Sequence, residues 1–209
     1  MNPRLVIFDF DGTLADSFGW FLDVADAVAD RYRFDRFDRT DMEALRGLDA
    51  GQLIKRHRVS FWKLPLIVRH ARALMARDIA RIPLFPGIST ALAQLAAGGV
   101  TLAVVTTNSR ANVLRVLGPA TASLISELEC GVSVFGKPRK LRRVLRRTGI
   151  PAAQALFVGD EIRDAVAARA AGIAYGAVAW GYTRLEALRA QAPACVFERV
   201  EDLPACGTS

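Results

Sequence analysis

The sequence predicts an α/β fold, a doubly wound parallel sheet with an all-helical segment inserted after its first strand. An apolar run at Leu5–Phe8 ends at a pair of acids, and residues 16–83 then show apolar residues at helical spacing only. Strands and helices alternate through the rest of the chain. We therefore expect a sheet-containing core made of residues 1–15 and 84–209, and a helical domain made of residues 16–83.

The first strand carries the most informative residues. Leu5–Phe8 is typical of a buried parallel strand, and Asp9 and Asp11 follow at its carboxyl end, where open α/β sheets bind ligands. Gly12 and Thr13 then supply a tight turn whose backbone N–H groups can approach a phosphate. Either acid could simply cap this turn, but two acids so close together favour a bound cation or proton.

The remaining elements follow from hydrophobic spacing. The inserted segment predicts helices over residues 18–32, 41–46, 50–57 and 64–79. The later part of the chain predicts strands over residues 101–106, 132–135, 155–158, 173–179 and 195–197.

Composition narrows the class of protein. The chain has 209 residues with 28 basic and 21 acidic side chains, a net charge of +7 that favours anionic ligands. No apolar run approaches the roughly 18 to 20 residues that span a bilayer, and the amino terminus lacks the pattern of a secretory signal. The three cysteines have neither disulfide nor zinc spacing. We expect a soluble cytoplasmic protein without a membrane partner.

Polar side chains also follow three later strands. Thr106, Thr107 and Asn108 come directly after the second strand, although Asn108 or Ser109 also suits a helix N-cap. Lys137 stands between Gly136 and a proline at the start of a predicted helix. Asp160 and Asp164 lie four residues apart after a strand, so both face one side of the turn that enters the next helix.

This ordered set, beginning with D-F-D-G-T-L, resembles the four motifs of the haloacid dehalogenase (HAD) superfamily. The resemblance implies a Rossmann-like core, a helical cap of the first type over residues 16–83, and a magnesium-dependent phosphatase that works through an aspartyl-phosphate. Leu84-Phe85-Pro86-Gly87 and Trp180-Gly181-Tyr182 look most like the phosphoglycolate phosphatase-like group.

The resemblance also implies roles for these residues. Asp9 would be the nucleophile, and Asp11 would give a proton to the leaving oxygen and later take one from water. Lys137 would offset the charge on Asp9 and the phosphoryl group. Thr106 would hydrogen-bond a phosphate oxygen, with Thr107 as the alternative.

The resemblance also implies further phosphate and metal ligands. Asn108, Gly12 and Thr13 would offer more donors to the phosphate. Asp160, with Asp9, Asp164 and the carbonyl group of Asp11, would form an oxygen shell suited to Mg²⁺, although Asp164 could instead orient a metal-bound water or pair with Lys137. Arg46 lies where related caps place a substrate-facing loop, so it is either an anion ligand or a surface arginine at a helix end.

Three other functions share parts of this pattern. A sugar phosphomutase would keep the same core, and a phospho-acceptor module resembling a response-regulator receiver would share the acid pair and the lysine. A nucleic-acid binder would use the basic excess, but the seven bases between Lys137 and Arg147 have no aromatic among them, so we do not expect nucleic acid as a partner. A small phosphate ester is the expected partner; monomer and homodimer remain open.

Overall fold

The computed structural model describes residues 2–134 and 136–207. The fold contains a six-stranded parallel sheet in the order β3-β2-β1-β4-β5-β6. The strands are β1 (Leu5–Phe8), β2 (Thr101–Val105), β3 (Ile125–Glu129), β4 (Ala155–Gly159), β5 (Ala174–Val178) and β6 (Cys195–Phe197). This arrangement confirms the predicted doubly wound α/β class. Because the strand order reverses at β1, the carboxyl ends of β1, β2 and β4 enclose one crevice.

Helices follow the strands and cover the sheet. The helices are α1 (Phe18–Tyr32), α2 (Met42–Leu45), α3 (Ala50–Arg56), α4 (Leu64–Arg77), α5 (Ile88–Ala97), α6 (Arg110–Ala122), α7 (Lys137–Thr148), α8 (Ile162–Ala171) and α9 (Leu185–Arg189). Short 3₁₀ turns occupy Arg39–Asp41, Phe61–Lys63, Ile79–Arg81, Ala152–Gln154 and Val200–Gly207. Among the described residues, none of these helices combines the length and the apolar character needed to cross a bilayer.

Both faces of the sheet are buried, as its apolar strands require. Alternate residues of β1 point to opposite faces. Val6 and Phe8 join the apolar layer of α5 and α6, whereas Leu5 and Ile7 join the layer of α7, α8 and α9. This double burial fixes the position of β1, and with it the position of the acids that follow.

The two connections between the sheet and the inserted helices run side by side. Ala15 and Leu84 form an antiparallel bridge, the Asp16 N–H donates to the Pro83 carbonyl, and the Phe85 N–H donates to the Leu14 carbonyl. The predicted boundaries at 15/16 and 83/84 fall beside this pairing, and the division into two domains stays a prediction.

The strand predicted at residues 132–135 is wrong. The third strand is instead Ile125–Glu129, and of the predicted range Phe135 lies outside the described residues. Val132 is buried because it packs under α7 rather than because it belongs to the sheet. The real strand lies at the edge of the sheet beside β2, and its alternating acids concealed its apolar pattern.

Candidate active site

Three acids and one lysine converge where β1 and β4 end. Asp9, Asp160 and Asp164 are buried, with 2%, 0% and 0% of their surface exposed, and their carboxylates each offer an oxygen within 4.8 Å of the others. Lys137 lies at the start of α7 and is equally buried; its Nζ donates to Asp9 Oδ2 at 2.6 Å and to Asp164 Oδ1 at 2.5 Å. The predicted pairing of Lys137 with Asp164 is therefore present.

The charges of this cluster do not cancel. Burial tends to lower the pKa of Lys137, but Asp164 and Asp9 outweigh it, so the net effect raises that pKa. Burial and the neighbouring acids Glu161, Asp9 and Asp164 raise the pKa of Asp160 well above its usual value. One ammonium therefore leaves an excess of buried carboxylate charge, and an all-oxygen donor set of this kind fits a hard divalent cation.

Asp160 is held by the loop after β1 and by the loop after β5. Thr13 Oγ1 donates to Asp160 Oδ1 at 2.6 Å, and the Tyr182 N–H donates to Oδ2 at 2.8 Å. Gly12 has a φ of +78°, and a Cβ on it would lie 2.3 Å from Asp160 Oδ2. A Cβ on Gly181 would lie 2.1 Å from the Asp160 Cβ. Only glycines at these two positions allow both loops to close on the carboxylate.

Asp164 has two neighbours that fix its orientation. Its second oxygen, Oδ2, accepts from the Glu161 N–H at 3.1 Å, and this contact forms part of the capping box that begins α8. Burial raises the pKa of Asp164 to about 7, and Lys137 opposes that rise. The carboxylate thus completes a helix cap with one oxygen and faces the lysine with the other.

Asp11 lies at the edge of the cluster. Asn108 Nδ2 donates to both of its carboxylate oxygens at 3.1 Å. Burial, followed by the charge of Asp9, raises the pKa of Asp11 to about 7, and the hydrogen bond from Asn108 works in the opposite direction. A carboxyl group with such a pKa can both give and take a proton near neutral pH.

The loop after β2 contributes the predicted polar residues. Thr106 is fully buried and its Oγ1 accepts from the Asn108 N–H at 3.0 Å, whereas the half-buried Thr107 borders a cavity. Asn108 is directed at Asp11, and the Ser109 side chain, rather than that of Asn108, caps α6 by accepting from the Asn112 N–H. The choice between Thr106 and Thr107 as phosphate ligand stays open.

A cavity of about 200 Å³ lies between Asp11 and the inserted helices. Asp11, Thr107 and Asn108 border it from the sheet side, and Trp20, Phe21 and Met75 border it from α1 and α4. The cavity is large enough for a small organic group next to Asp11, and its apolar wall would limit water there.

The comparison with known proteins agrees with this arrangement. A family model for haloacid dehalogenase-like hydrolases matches residues 6–178, which covers most of the chain. The chain belongs to this family. It is 33% identical over 96% of its length to a phosphoglycolate phosphatase of Synechococcus elongatus, of which the match covers 95%. It is 31% identical over 98% of its length to a phosphoglycolate phosphatase of Yersinia pseudotuberculosis, of which the match covers 93%.

Solved structures share the fold of this chain. A structure from Lactobacillus plantarum superposes with a TM-score of 0.83 at 22% identity, covering 99% of this chain and 100% of the other. A haloacid dehalogenase-like family hydrolase from Streptococcus pneumoniae superposes with a TM-score of 0.76 at 19% identity, covering 96% of each chain. The predicted HAD-like fold is therefore confirmed.

Arg46 has partners that the sequence did not predict. Its Nε and Nη2 donate to the carbonyl oxygens of Tyr182 and Gly181 at 2.9 and 2.8 Å, and its guanidinium lies 5.3 Å from the centre of the Phe18 ring. These contacts tie the end of α2 to the loop after β5. They do not test the role of Arg46 in anion binding, which stays a prediction.

Three residues near the cavity had no predicted role. Arg163 precedes Asp164 and borders the cavity, Arg72 reaches it from α4, and the Tyr182 N–H holds Asp160. The position of Arg163 inside the acidic G-D-E-I-R-D run could have indicated that it lies close to the site. Nothing in the sequence indicates the position of Arg72, because the packing of α4 against the loops after β2 and β3 depends on the tertiary fold.

Proposed function

We propose that this HAD hydrolase is an Mg²⁺-dependent phosphatase that hydrolyses a small phosphomonoester through an aspartyl-phosphate on Asp9. The observation that carries the proposal is the buried cluster in which Lys137 bridges Asp9 and Asp164 while Asp160 lies beside them. A nucleophile, a fixed cation and a metal-ligating donor set are the parts that phosphoryl transfer requires.

The residues divide the reaction between them. A carboxylate oxygen of Asp9 forms a bond to phosphorus while the bond from phosphorus to the ester oxygen breaks. Asp11 gives its proton to the leaving oxygen, and burial, which raises the pKa of Asp11, favours the protonated form. Asp11 then takes a proton from water as that water attacks phosphorus, which releases phosphate and restores Asp9.

Positioning and charge come from the surrounding groups. Lys137 would balance the negative charge of Asp9 and of the incoming phosphoryl group, and Thr106 or Thr107 would donate to a phosphate oxygen. Asp9, Asp160 and Asp164, with the Asp11 carbonyl group, would hold Mg²⁺, which when bound would neutralise phosphate charge. Gly12 and Thr13 would act mainly by shaping the loop against Asp160, given the contacts that they make.

The substrate that we propose is a short phosphorylated acid of the phosphoglycolate type. The relatives that match nearly the whole chain at 33% and 31% identity are phosphoglycolate phosphatases. The small cavity beside Asp11 also favours a short leaving group over a sugar or a nucleoside.

Phosphate release from a panel of phosphomonoesters tests this proposal. With Mg²⁺, the native chain should release phosphate from phosphoglycolate, and a chelator should abolish the release. Asp9→Asn should lower turnover by about 1000-fold or more, whereas Asp16→Asn, at an exposed position nearby, should not. Transfer of the phosphoryl group to a second sugar hydroxyl, without phosphate release, would indicate a mutase instead.

A further inference from the structure

Arg163 lies in the first turn of α8, immediately before Asp164. Its Nη2 contacts Glu161 Oε1, and its side chain is 21% exposed. The side chain borders the cavity that Asp11 also borders. Its positive charge acts on Asp11 and lowers the pKa of that acid, against the larger effect of burial.

The two cations of the site occupy different places. Lys137 is enclosed between Asp9 and Asp164, where the phosphoryl group would be transferred. Arg163 faces the cavity beside Asp11, the group proposed to protonate the leaving oxygen. A group that enters this cavity is therefore the organic part of the substrate and not its phosphate.

The hydrogen-bond donors of the Arg163 guanidinium are only partly used by the described residues. An arginine carries five N–H donors in a fixed plane, and the contact with Glu161 engages Nη2. The Nε atom is buried and has no hydrogen-bond partner within residues 2–134 and 136–207. A buried donor without an acceptor is unfavourable, so the described residues leave this guanidinium incompletely hydrogen-bonded.

Arg72 borders the same cavity but is already engaged. Its Nε donates to the Thr107 carbonyl at 2.6 Å, and its Nη2 donates to the Val132 carbonyl at 3.3 Å. These bonds hold α4 against the loops after β2 and β3. Arg163 is thus the better placed of the two arginines to meet an anionic group of the substrate.

We propose that Arg163 determines substrate specificity by binding a carboxylate on the leaving-group part of the substrate. A planar guanidinium matches a carboxylate in shape and charge, and the low polarity of the surrounding aromatic and thioether side chains would strengthen the contact. The inference rests on the proposed phosphatase function and adds the residue that selects carboxylate-bearing phosphomonoesters.

Two substrates of similar size distinguish carboxylate binding by Arg163 from a general contribution of Arg163 to catalysis. Phosphoglycolate carries a carboxylate, and 2-hydroxyethyl phosphate carries a neutral hydroxyl in its place. Arg163→Gln should lower kcat/KM for phosphoglycolate by about 10- to 100-fold, the loss expected for a charge-assisted hydrogen bond. The change for 2-hydroxyethyl phosphate should stay within about 3-fold, and Arg163→Lys should restore part of the preference. Arg169→Gln, on the same helix, is the matched control and should change neither substrate.

Removal of Arg163 also leaves the charge of Glu161 without its cation, and the small change allowed for 2-hydroxyethyl phosphate covers the effect of that charge. The double variant Glu161→Gln with Arg163→Gln removes that extra charge and should still lose the preference for phosphoglycolate. Calorimetry in the Asp9→Asn background gives a readout without turnover: phosphoglycolate should bind more weakly when Arg163 is replaced, and 2-hydroxyethyl phosphate should not.

The outcomes distinguish the inference from the function on which it rests. Equal losses on both substrates, or no loss in a folded Arg163→Gln protein, would overturn the role of Arg163. Native turnover of both esters at equal kcat/KM would also overturn it and would leave the phosphatase proposal standing. If the folded, Mg²⁺-supplied native chain released phosphate from neither ester, both proposals would be overturned.

Discussion

At the scale of single residues, the acids of the site depend on neighbours that hold them in place. Thr13→Val tests one such contact, because it removes the hydroxyl that donates to Asp160 Oδ1 at 2.6 Å. We expect the Mg²⁺ concentration for half-maximal activity to rise about 3- to 10-fold, since loss of one neutral donor is worth about 1 kcal/mol. Thr148→Val is the control, because among the described residues that hydroxyl bonds only within and just after its own helix. Equal Mg²⁺ dependence in the two variants would contradict the role of Thr13.

Asn108 holds Asp11 through both carboxylate oxygens. Asn108→Ala should lower kcat by about 10- to 100-fold, because a misplaced general acid loses part of its effect. The bond from Asn108 lowers the pKa of Asp11, so its loss should also move the alkaline limb of the pH–rate profile to higher pH. The decrease in kcat should be smallest for a phosphate ester whose leaving group needs no proton. A uniform loss over all leaving groups would place Asn108 at the phosphate instead.

At the scale of elements, the hydrogen bonds from Arg46 to the carbonyl oxygens of Gly181 and Tyr182 join the helical segment to the loop after β5. Arg46→Ala should lower the free energy of unfolding by about 1 to 3 kcal/mol, because two hydrogen bonds from a charged donor and a ring contact are lost. Urea unfolding measures this, with the exposed Arg69→Ala as the control. A raised KM with unchanged stability would favour the anion-binding role that the resemblance implies for Arg46.

The elements also show where sequence reasoning succeeded and where it failed. The helix at residues 18–32 was predicted with the bounds that it has, because its apolar spacing is regular. The edge strand at Ile125–Glu129 was missed, because Glu127 and Glu129 break its apolar pattern while pairing with bases of α7. The acid motifs were recognisable because each follows a strand directly. The contacts of Arg46 and Arg72 were not, because they join segments far apart in the sequence.

At the scale of the whole molecule, the buried carboxylate excess links metal binding to stability. Burial raises the pKa of Asp164 to about 7 in the folded, metal-free protein, so the folded state holds protons more tightly than the unfolded state. This contribution to stability is present at low pH and is lost as the pH rises toward 7. Bound Mg²⁺ would balance the negative charge that deprotonation then leaves on the buried carboxylates.

We therefore expect Mg²⁺ to raise Tm, and to raise it more at about pH 8 than at about pH 5.5, where protons compete for the same carboxylates. Thermal unfolding with Mg²⁺ or a chelator at each pH measures this difference. Asp160→Asn should reduce the shift, and the surface variant Asp16→Asn should not. A Tm shift that is equal at both pH values, or that persists in Asp160→Asn, would place the metal elsewhere.

Trapping of the phosphorylated enzyme tests the central claim that Asp9 receives the phosphoryl group. Acetyl phosphate has a leaving group that needs no protonation, so Asp11→Asn should still react with it, while hydrolysis of the aspartyl-phosphate should slow by about 100-fold or more. Rapid quenching and peptide mapping should then find close to one phosphoryl group per chain on Asp9, and none when Asp9→Asn is combined with Asp11→Asn. Phosphate release by the native chain together with a label on another residue, or with an undiminished label after Asp9→Asn, would contradict the account.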